Sequence, residues 1–517
     1  MTKEQERQEL HTAIWNMAKE LRGSVDGWDF KQYVLGMLFY RFISENLTNF
    51  LNNAEKEAGN LTFNYENLSD DAAERGRKDT VQEKGFYILP SELFCNVRKN
   101  AKNNPNLNET ISKVFNNIEN SARGTDAEAD MKGLFEDFKV NDTKLGATVA
   151  ERNALLSKIL DVIGNMKLGN FQDNTIDAFG DAYEFLMGMY ASDAGKSGGE
   201  YYTPQEVGEL LAKITTIGKT QVNKVYDPCC GSGSLLLKFA KILGKDNVRQ
   251  GFYGQELNPT SFNLARINMF LHDINYNKFN IARGNTLTNP MHWDDEPFDS
   301  IVSNPPYSNK WDGDSNPLLI NDPRFSPAGV LAPKSKSDLA FTMHMLAWLS
   351  SKGTAAIVEF PGVLYRGGAE QKIRQYLVDN NYVDAIIQLP SDLFFGVTIA
   401  TCIIVLKKGK ADNKVLFIDA TDEFVRPGNK NKLSTNNQNN IIKAIKERKT
   451  ENDFAKLVDF EDIKNADYNL SVNKYIQRKV TKPAINIKEL NSKISQIVAR
   501  QHKLRVSLDA IIASLEV

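Results

Sequence analysis

Up to about residue 165, apolar positions recur at helical spacing. The stretch from Asp29 to Ile43 is apolar around much of its circumference, which predicts a helix that is buried or covered by a partner. Residues 52–85, rich in Asn, Asp, Glu and Lys, predict a polar surface excursion; a second helical block follows and includes Asn153 to Met166. From about residue 170 the texture changes. Short apolar runs at 224–226, 251–254, 299–302, 355–358, 385–387 and 402–406 alternate with helical patterns. Runs of this length separated by helices predict βαβ units and a parallel sheet covered on both faces, an α/β fold. Residues 308–337, rich in Asn, Asp, Pro, Gly and Lys, show no periodicity; so long a loop is expected to be functional or disordered. In the tail, Ile487, Leu490, Ile494, Ile497, Gln501, Leu504, Leu508, Ile511 and Leu515 step alternately by three and four. That heptad seam, with one polar interruption at Gln501, predicts a coiled coil with another subunit in preference to docking on the chain's own N-terminal helices. The expected domains are a helical region over 1–165, an α/β region over 166–475 and a coiled-coil helix over 476–517.

Composition adds limits. A chain of 517 residues predicts two to four domains at roughly 100–200 residues each. No run of about 18 or more apolar residues occurs, so no membrane span is expected. The start, MTKEQERQEL, lacks the apolar core of a signal peptide, and Cys95, Cys229, Cys230 and Cys402 are too scattered for a disulfide scaffold; a reducing cytoplasm is expected. Lys plus Arg is 63 and Asp plus Glu is 65, a balance of 63 − 65 = −2, whereas a chain gripping nucleic acid alone is usually basic. Residues 407–449 do hold eleven Lys or Arg against five Asp or Glu, which fits a solvated surface and a phosphate-facing patch equally well.

The candidate chemistry lies in three places. First, Val225-Tyr226-Asp227-Pro228-Cys229-Cys230-Gly231-Ser232-Gly233-Ser234 reads as a strand, a small-residue turn and a helix start. Gly231 and Gly233 permit a tight turn and close approach of a ligand to the backbone, with free N–H groups at the helix N-terminus. Dinucleotide sites want a third glycine, but Leu236 stands there. Asp227 at the strand end suits a positive amine, and amine, carboxylate and adenosine together describe S-adenosylmethionine. Second, Glu256 ends the next strand and can accept both ribose hydroxyls, or is an ordinary surface carboxylate.

Third, Ser303-Asn304-Pro305-Pro306-Tyr307 follows a strand directly and is the most specific signal. Consecutive prolines stiffen the backbone, and Pro305 brings no N–H. The Asn304 side-chain oxygen and the Pro305 carbonyl can both accept from one amino group, and Tyr307 can stack on a planar ring. Such a site suits a conjugated amine like N6 of adenine: two aimed acceptors localise the nitrogen lone pair for attack on a methyl sulfonium. No strong general base is needed. Cys229 and Cys230 are discounted as nucleophile or metal ligands, since they lie in the glycine turn, and five unclustered histidines indicate no metal site.

Asp227 to Ser234, Glu256 and Asn304 to Tyr307 resemble the motifs of amino-group DNA methyltransferases. Gly199-Glu200-Tyr201-Tyr202-Thr203-Pro204-Gln205, placed before the glycine turn, is similar to the extra cofactor segment of the gamma group of N6-adenine methyltransferases. Asn285, in Gly284-Asn285-Thr286-Leu287, sits where that family contacts the adenosyl ring, and Asp338-Leu339-Ala340-Phe341 resembles the helix after its catalytic loop. With Arg22 to Phe30, the helical N-terminal region and the heptad tail, the whole chain resembles the modification subunit of a bacterial type I restriction-modification system. The resemblance implies a Rossmann-like S-adenosylmethionine-dependent methyltransferase core. It implies cofactor binding by Glu200, Tyr201, Tyr202, Thr203, Pro204, Gln205, Asp227, Gly231, Ser232, Gly233, Ser234, Glu256 and Asn285, and catalysis by Asn304, Pro305, Pro306 and Tyr307 on a flipped adenine in double-stranded DNA. It further implies assembly of two copies with one specificity subunit, joined by a restriction translocase subunit.

Two other readings stay open on the residues alone. The same tetrapeptide fits cytosine N4, an RNA guanine or a protein glutamine, and a non-catalytic assembly subunit could keep the fold.

Overall fold

In the computed structural model, residues 3–21, 27–166, 168, 178–193, 203–428, 430–451, 453–477 and 487–515 are described. The apolar stretch expected around 29–43 lies in a helix, Gly27–Glu57, and every apolar side chain from Tyr33 to Ile43 is buried. It is covered from within the chain. Arg41 in its middle donates to the carbonyls of Ile163 and Met166 at 2.6 and 2.9 Å, tying it to the helix Val149–Asn165. On another side, Phe39 meets Phe270 with ring centroids 6.2 Å apart. Residues 52–85 are less of an excursion than their polarity predicts: Tyr65, Ala73, Thr80 and Val81 are buried, and the Tyr65 hydroxyl donates to the Ile88 carbonyl at 2.7 Å. A few apolar anchors suffice there because short helical turns satisfy the backbone locally.

Among the described residues the sheet has nine strands: β1 (Val222–Asp227), β2 (Val248–Glu256), β3 (Phe279–Arg283), β4 (Phe298–Ser303), β5 (Leu349–Glu359), β6 (Val383–Gln388), β7 (Cys402–Lys407), β8 (Val415–Asp419) and β9 (Ala455–Val458), in the order β3-β2-β1-β4-β5-β7-β6-β8-β9. The first five in that order are parallel, with Asp227 beside Gly254 and Ser303 beside Ile357. The chain leaves β1 toward β2 on one side, while β4 joins β1 on the other. This topological switch opens a crevice at the carboxyl ends of β1 and β4. The sheet is mixed, not wholly parallel as the apolar runs predict: β7 lies antiparallel between β5 and β6, and β9 is antiparallel to β8. The connection from β6 to β7 carries no helix, and a parallel neighbour needs a crossover, usually helical.

The helix Pro259–Leu271 joins the two halves: its buried Arg266 donates to the carbonyls of Ala129, Asp130 and Lys132 at 3.0 to 3.1 Å. The loop over 308–337 contains 3₁₀ turns at Gly313–Ser315, Leu319–Asn321 and Ser326–Ala328. Met1–Ile476 and Gln477–Val517 are separate units. In the second, Ile487–Leu515 is one helix of 29 residues, about 44 Å long, on which Ile487, Leu490, Ile494, Ile497, Leu504 and Leu508 are exposed. No described helix is long and apolar enough to cross a membrane.

Within 407–449, six cations are matched by carboxylates: Lys407 and Arg448 on Asp384, Lys414 on Asp459, Arg426 and Lys430 on Asp392, and Lys443 near Glu447. Lys408 and Lys410 donate to backbone carbonyls. This neutralisation favours the solvated-surface reading of the stretch.

Candidate active site

β4 delivers the tetrapeptide. Its buried Ile301 and Val302 fix the strand in the sheet, and the prolines end the ladder because Pro305 has no N–H to pair. Asn304 is half-buried and held through both ends of its amide: Nδ2 donates to Thr203 Oγ1 at 3.0 Å, and Oδ1 accepts the Tyr307 hydroxyl at 2.6 Å. Tyr307 packs edge-on against Phe394, centroids 6.4 Å apart at 84°. The corner closes at Ser308, whose φ is 51° and whose N–H points at both oxygens of Asp338, at 3.0 and 3.1 Å. Asp338 opens the helix Asp338–Trp348 and thereby anchors the end of the motif.

β1 delivers the glycine turn. Asp227 is fully buried; its Oδ1 accepts the Cys229 N–H and the Ser303 hydroxyl, both at 3.0 Å, which joins the two strand ends. Its Oδ2 is buried without a hydrogen-bond partner. Burial above all raises this carboxyl to about 7, with the Glu256 charge adding to the rise. Gly231 and Gly233 have φ of 53° and 77°, the left-handed region where a side chain is strained, and a Cβ on Gly231 would meet nothing within 4 Å. Ser232 and Ser234 are buried with hydroxyls 3.2 Å apart, and the Asn268 amide donates to the Ser232 carbonyl at 2.9 Å from behind. Glu256 grips the turn from β2: Oε2 accepts the Gly231 N–H at 2.9 Å and Oε1 the Asn258 N–H at 2.8 Å. Desolvation raises its pKa too.

The third strand end brings Asn285, which is exposed, with Oδ1 accepting the Leu287 N–H at 3.0 Å. Next to it Thr286 donates to the Pro228 carbonyl at 2.5 Å, so the segment is fastened to the glycine turn. Pro204 is buried and leads into the helix Gln205–Thr215; both polar atoms of the Gln205 amide are buried without partners. Glu200, Tyr201 and Tyr202 lie outside the described residues. Burial, before any charge effect, pushes the Cys229 and Cys230 thiols well above their ordinary range, the opposite of what a nucleophilic thiolate requires. Among the described residues no cluster of His, Cys, Asp or Glu could hold a metal ion.

Sequence reasoning overlooks several groups here. Glu359 ends β5 beside the Asn304–Tyr307 corner and is fully buried; Oε1 accepts the Thr342 hydroxyl at 2.9 Å and Oε2 has no partner. Burial first, and the Asp338 charge second, push its pKa well above the carboxylate range. A carboxylate closing an apolar run is the one signal that could have found it. Arg324 is another: 2% exposed, it pairs with Asp322 at 2.7 Å, donates to the Thr286 and Leu287 carbonyls at 2.7 and 2.8 Å, and faces His344 Nδ1 at 3.2 Å. It thus pins the loop after the tetrapeptide to the segment carrying Asn285. Because a guanidinium only donates, His344 Nδ1 accepts, and its other nitrogen carries the proton toward the Tyr226 hydroxyl 3.1 Å away.

The residues present fit S-adenosylmethionine. Asp227 keeps a partnerless buried oxygen for a positive group, Gln205 keeps a partnerless amide, and the Gly231 turn leaves room where a side chain would stand.

Two family models match. N-6 DNA Methylase covers residues 174–483, and the HsdM N-terminal domain covers 10–163. The chain is similar to the type I restriction enzyme MpnII methylase subunit of Mycoplasma pneumoniae, 48% identical over 99% of this chain and 97% of the relative. It is also similar to the MjaVII methylase subunit of Methanocaldococcus jannaschii, 31% identical over 79% and 70% of the two chains. Among solved structures, the type I restriction-modification methyltransferase subunit from Streptococcus thermophilus superposes with a TM-score of 0.81 at 34% identity, covering 91% of this chain and 99% of that one.

Proposed function

Because the chain belongs to the N-6 DNA methylase family, among the methylase subunits of type I restriction enzymes, we propose that the Asn304–Tyr307 corner carries its reaction, methyl transfer to N6 of adenine in DNA. The chain is an adenine-specific DNA methyltransferase, and its methyl donor is S-adenosylmethionine. Bound, that donor supplies an electrophilic methyl on a sulfonium. The chain's residues hold and aim. Asp227 and Gln205 meet the donor's charged and polar groups, Gly231 to Ser234 and Glu256 form its cradle, and Asn285 stands at the adenosyl end, as Glu200, Tyr201 and Tyr202 do by family resemblance.

Asn304 Oδ1 and the Pro305 carbonyl accept the two amine protons of the base. Two acceptors draw the nitrogen toward a tetrahedral shape and free its lone pair. The target leaves the duplex at a cost of a few kcal/mol. As it enters, the Tyr307 hydroxyl releases Asn304 and the ring stacks on the base. Burial disfavours the charged forms of both Glu359 and Tyr307, and no base is required: the surplus proton on the nitrogen leaves to solvent after transfer.

The observation that carries this reading is the Asn304 amide fixed at the end of β4, with Ser303 bonded to Asp227 on β1. We assign the helical region 1–165 to structural support, 166–475 to catalysis and 476–517 to assembly. Two copies join one specificity subunit, which reads the DNA, and a restriction translocase subunit completes the complex in the cytoplasm. The near-neutral charge of −2 accords with a partner supplying much of the DNA grip.

The test is nucleoside mass spectrometry on DNA treated with the complex and donor. N6-methyladenine is expected. Asn304→Ala is expected to lower transfer at least about 100-fold while donor affinity stays within about twofold. N4-methylcytosine in its place, or full transfer by the variant, would overturn the assignment.

A further inference from the structure

The segment that leads into the helix Gln205–Thr215 carries two polar side chains with opposite situations. Gln205 has both amide atoms buried and partnerless. Thr203 is committed: its hydroxyl oxygen accepts from Asn304 Nδ2 at 3.0 Å, across 101 residues of chain. An asparagine amide can face either way, and only one way is productive. With the oxygen toward the target amine it accepts; reversed, it would set an N–H donor against another donor. Rotation about the amide's terminal torsion is soft, so something outside the tetrapeptide has to choose. Two contacts touch the amide. The Tyr307 hydroxyl sits on the very oxygen the amine needs, at 2.6 Å, and must yield it to the base. The Thr203 contact is on the nitrogen, so a base that takes the oxygen does not compete for it.

We propose that Thr203 is a positioning residue, whose hydroxyl locks the Asn304 amide with its oxygen toward the target amine, while Gln205 in the same segment serves the methyl donor. Cofactor segment and catalytic corner are therefore one mechanical unit: the strand of chain that meets the donor also aims the acceptor. This deepens the methyl-transfer reading above and rests on it.

The experiment uses the complex with its specificity partner and a duplex carrying the target site. Three quantities are read: single-turnover methylation rate at saturating S-adenosylmethionine, donor dissociation constant by calorimetry, and fluorescence of 2-aminopurine at the target position as a report of base extrusion. Thr203→Val, near-isosteric but unable to accept, is expected to slow transfer about 10- to 100-fold. Its donor affinity and 2-aminopurine signal are expected to stay within about twofold of wild type. Thr203→Ser, which restores the acceptor, is expected to recover most of the rate, and Thr203→Ala to repeat the valine pattern. Gln205→Leu is expected to weaken donor binding in the calorimetry, without the Thr203 pattern of a slowed rate at unchanged donor affinity. A wild-type rate in Thr203→Val, or a loss confined to donor affinity, would overturn the proposal. Absence of transfer by the wild-type complex would instead sink the functional reading, and this inference with it.

Discussion

Replacing Asp227 by Asn isolates the electrostatics of the cofactor cradle. In the folded chain this carboxyl titrates at about 7, against an ordinary 3.8, chiefly because it is buried. Its folded form therefore prefers the proton. The contribution to stability is present at low pH and is lost as pH rises from about 4 through about 7. One pKa unit is worth about 1.4 kcal/mol, so the rise amounts to about 4 kcal/mol of destabilisation at pH 8 relative to pH 4. A positive ligand reverses the preference, since it needs the ionised form. About half the carboxyls are ionised at pH 7 and about a tenth at pH 6, so donor affinity should fall about fivefold over that unit. At pH 7, binding should release about half a proton from this group. Calorimetry in buffers of different ionisation enthalpy measures that release, and thermal unfolding without donor at pH 5 and pH 8 measures the stability term. Subtracting the Asp227→Asn values removes the donor's own ammonium titration. Equal proton release in the two proteins, or a wild type that is no less stable at pH 8 relative to the variant than at pH 5, would refute the assignment of Asp227 as a destabilised charge waiting for a cation.

Arg324→Met removes a buried guanidinium and leaves the Asp322 carboxylate and two carbonyls without it, which should cost about 3–5 kcal/mol, read by denaturant unfolding. The same change should weaken donor binding by loosening the Asn285 segment; a variant with wild-type stability would show that the loop does not depend on Arg324. Deleting residues from 477 onward should abolish co-elution with the specificity subunit while leaving donor affinity within about twofold, since the exposed seam is the surface offered to a partner helix. Co-elution of the truncated chain would refute the assembly role.

The glycine turn and the tetrapeptide were legible because each is a strand end marked by residues with fixed backbone consequences: Gly231 and Gly233 at positive φ, Pro305 without an N–H. Asp227 and Glu256 were legible for the same reason, as carboxylates closing apolar runs. Short strands such as β3 and β9 carry too few residues to show a period, and β7's direction depends on the absence of a crossover helix, which no apolar run reveals. The loop 308–337 has no period because it is built from short turns whose buried residues, Leu319, Arg324, Phe325, Leu331 and Ala332, fall at irregular spacing. The link from Thr203 to Asn304 and the burial of Glu359 beside that corner exist only through tertiary proximity. The charge excess at 407–449 left its two readings even because its counter-charges Asp384, Asp392 and Asp459 all lie outside that window.

The most direct test is a structure of the complex with target DNA and a non-reactive donor analogue. The expected result is an extruded adenine whose N6 lies within about 3 Å of both Asn304 Oδ1 and the Pro305 carbonyl, with the donor's methyl-bearing centre facing that nitrogen. An adenine seated elsewhere, or a donor whose reactive centre faces away from Asn304, would contradict it.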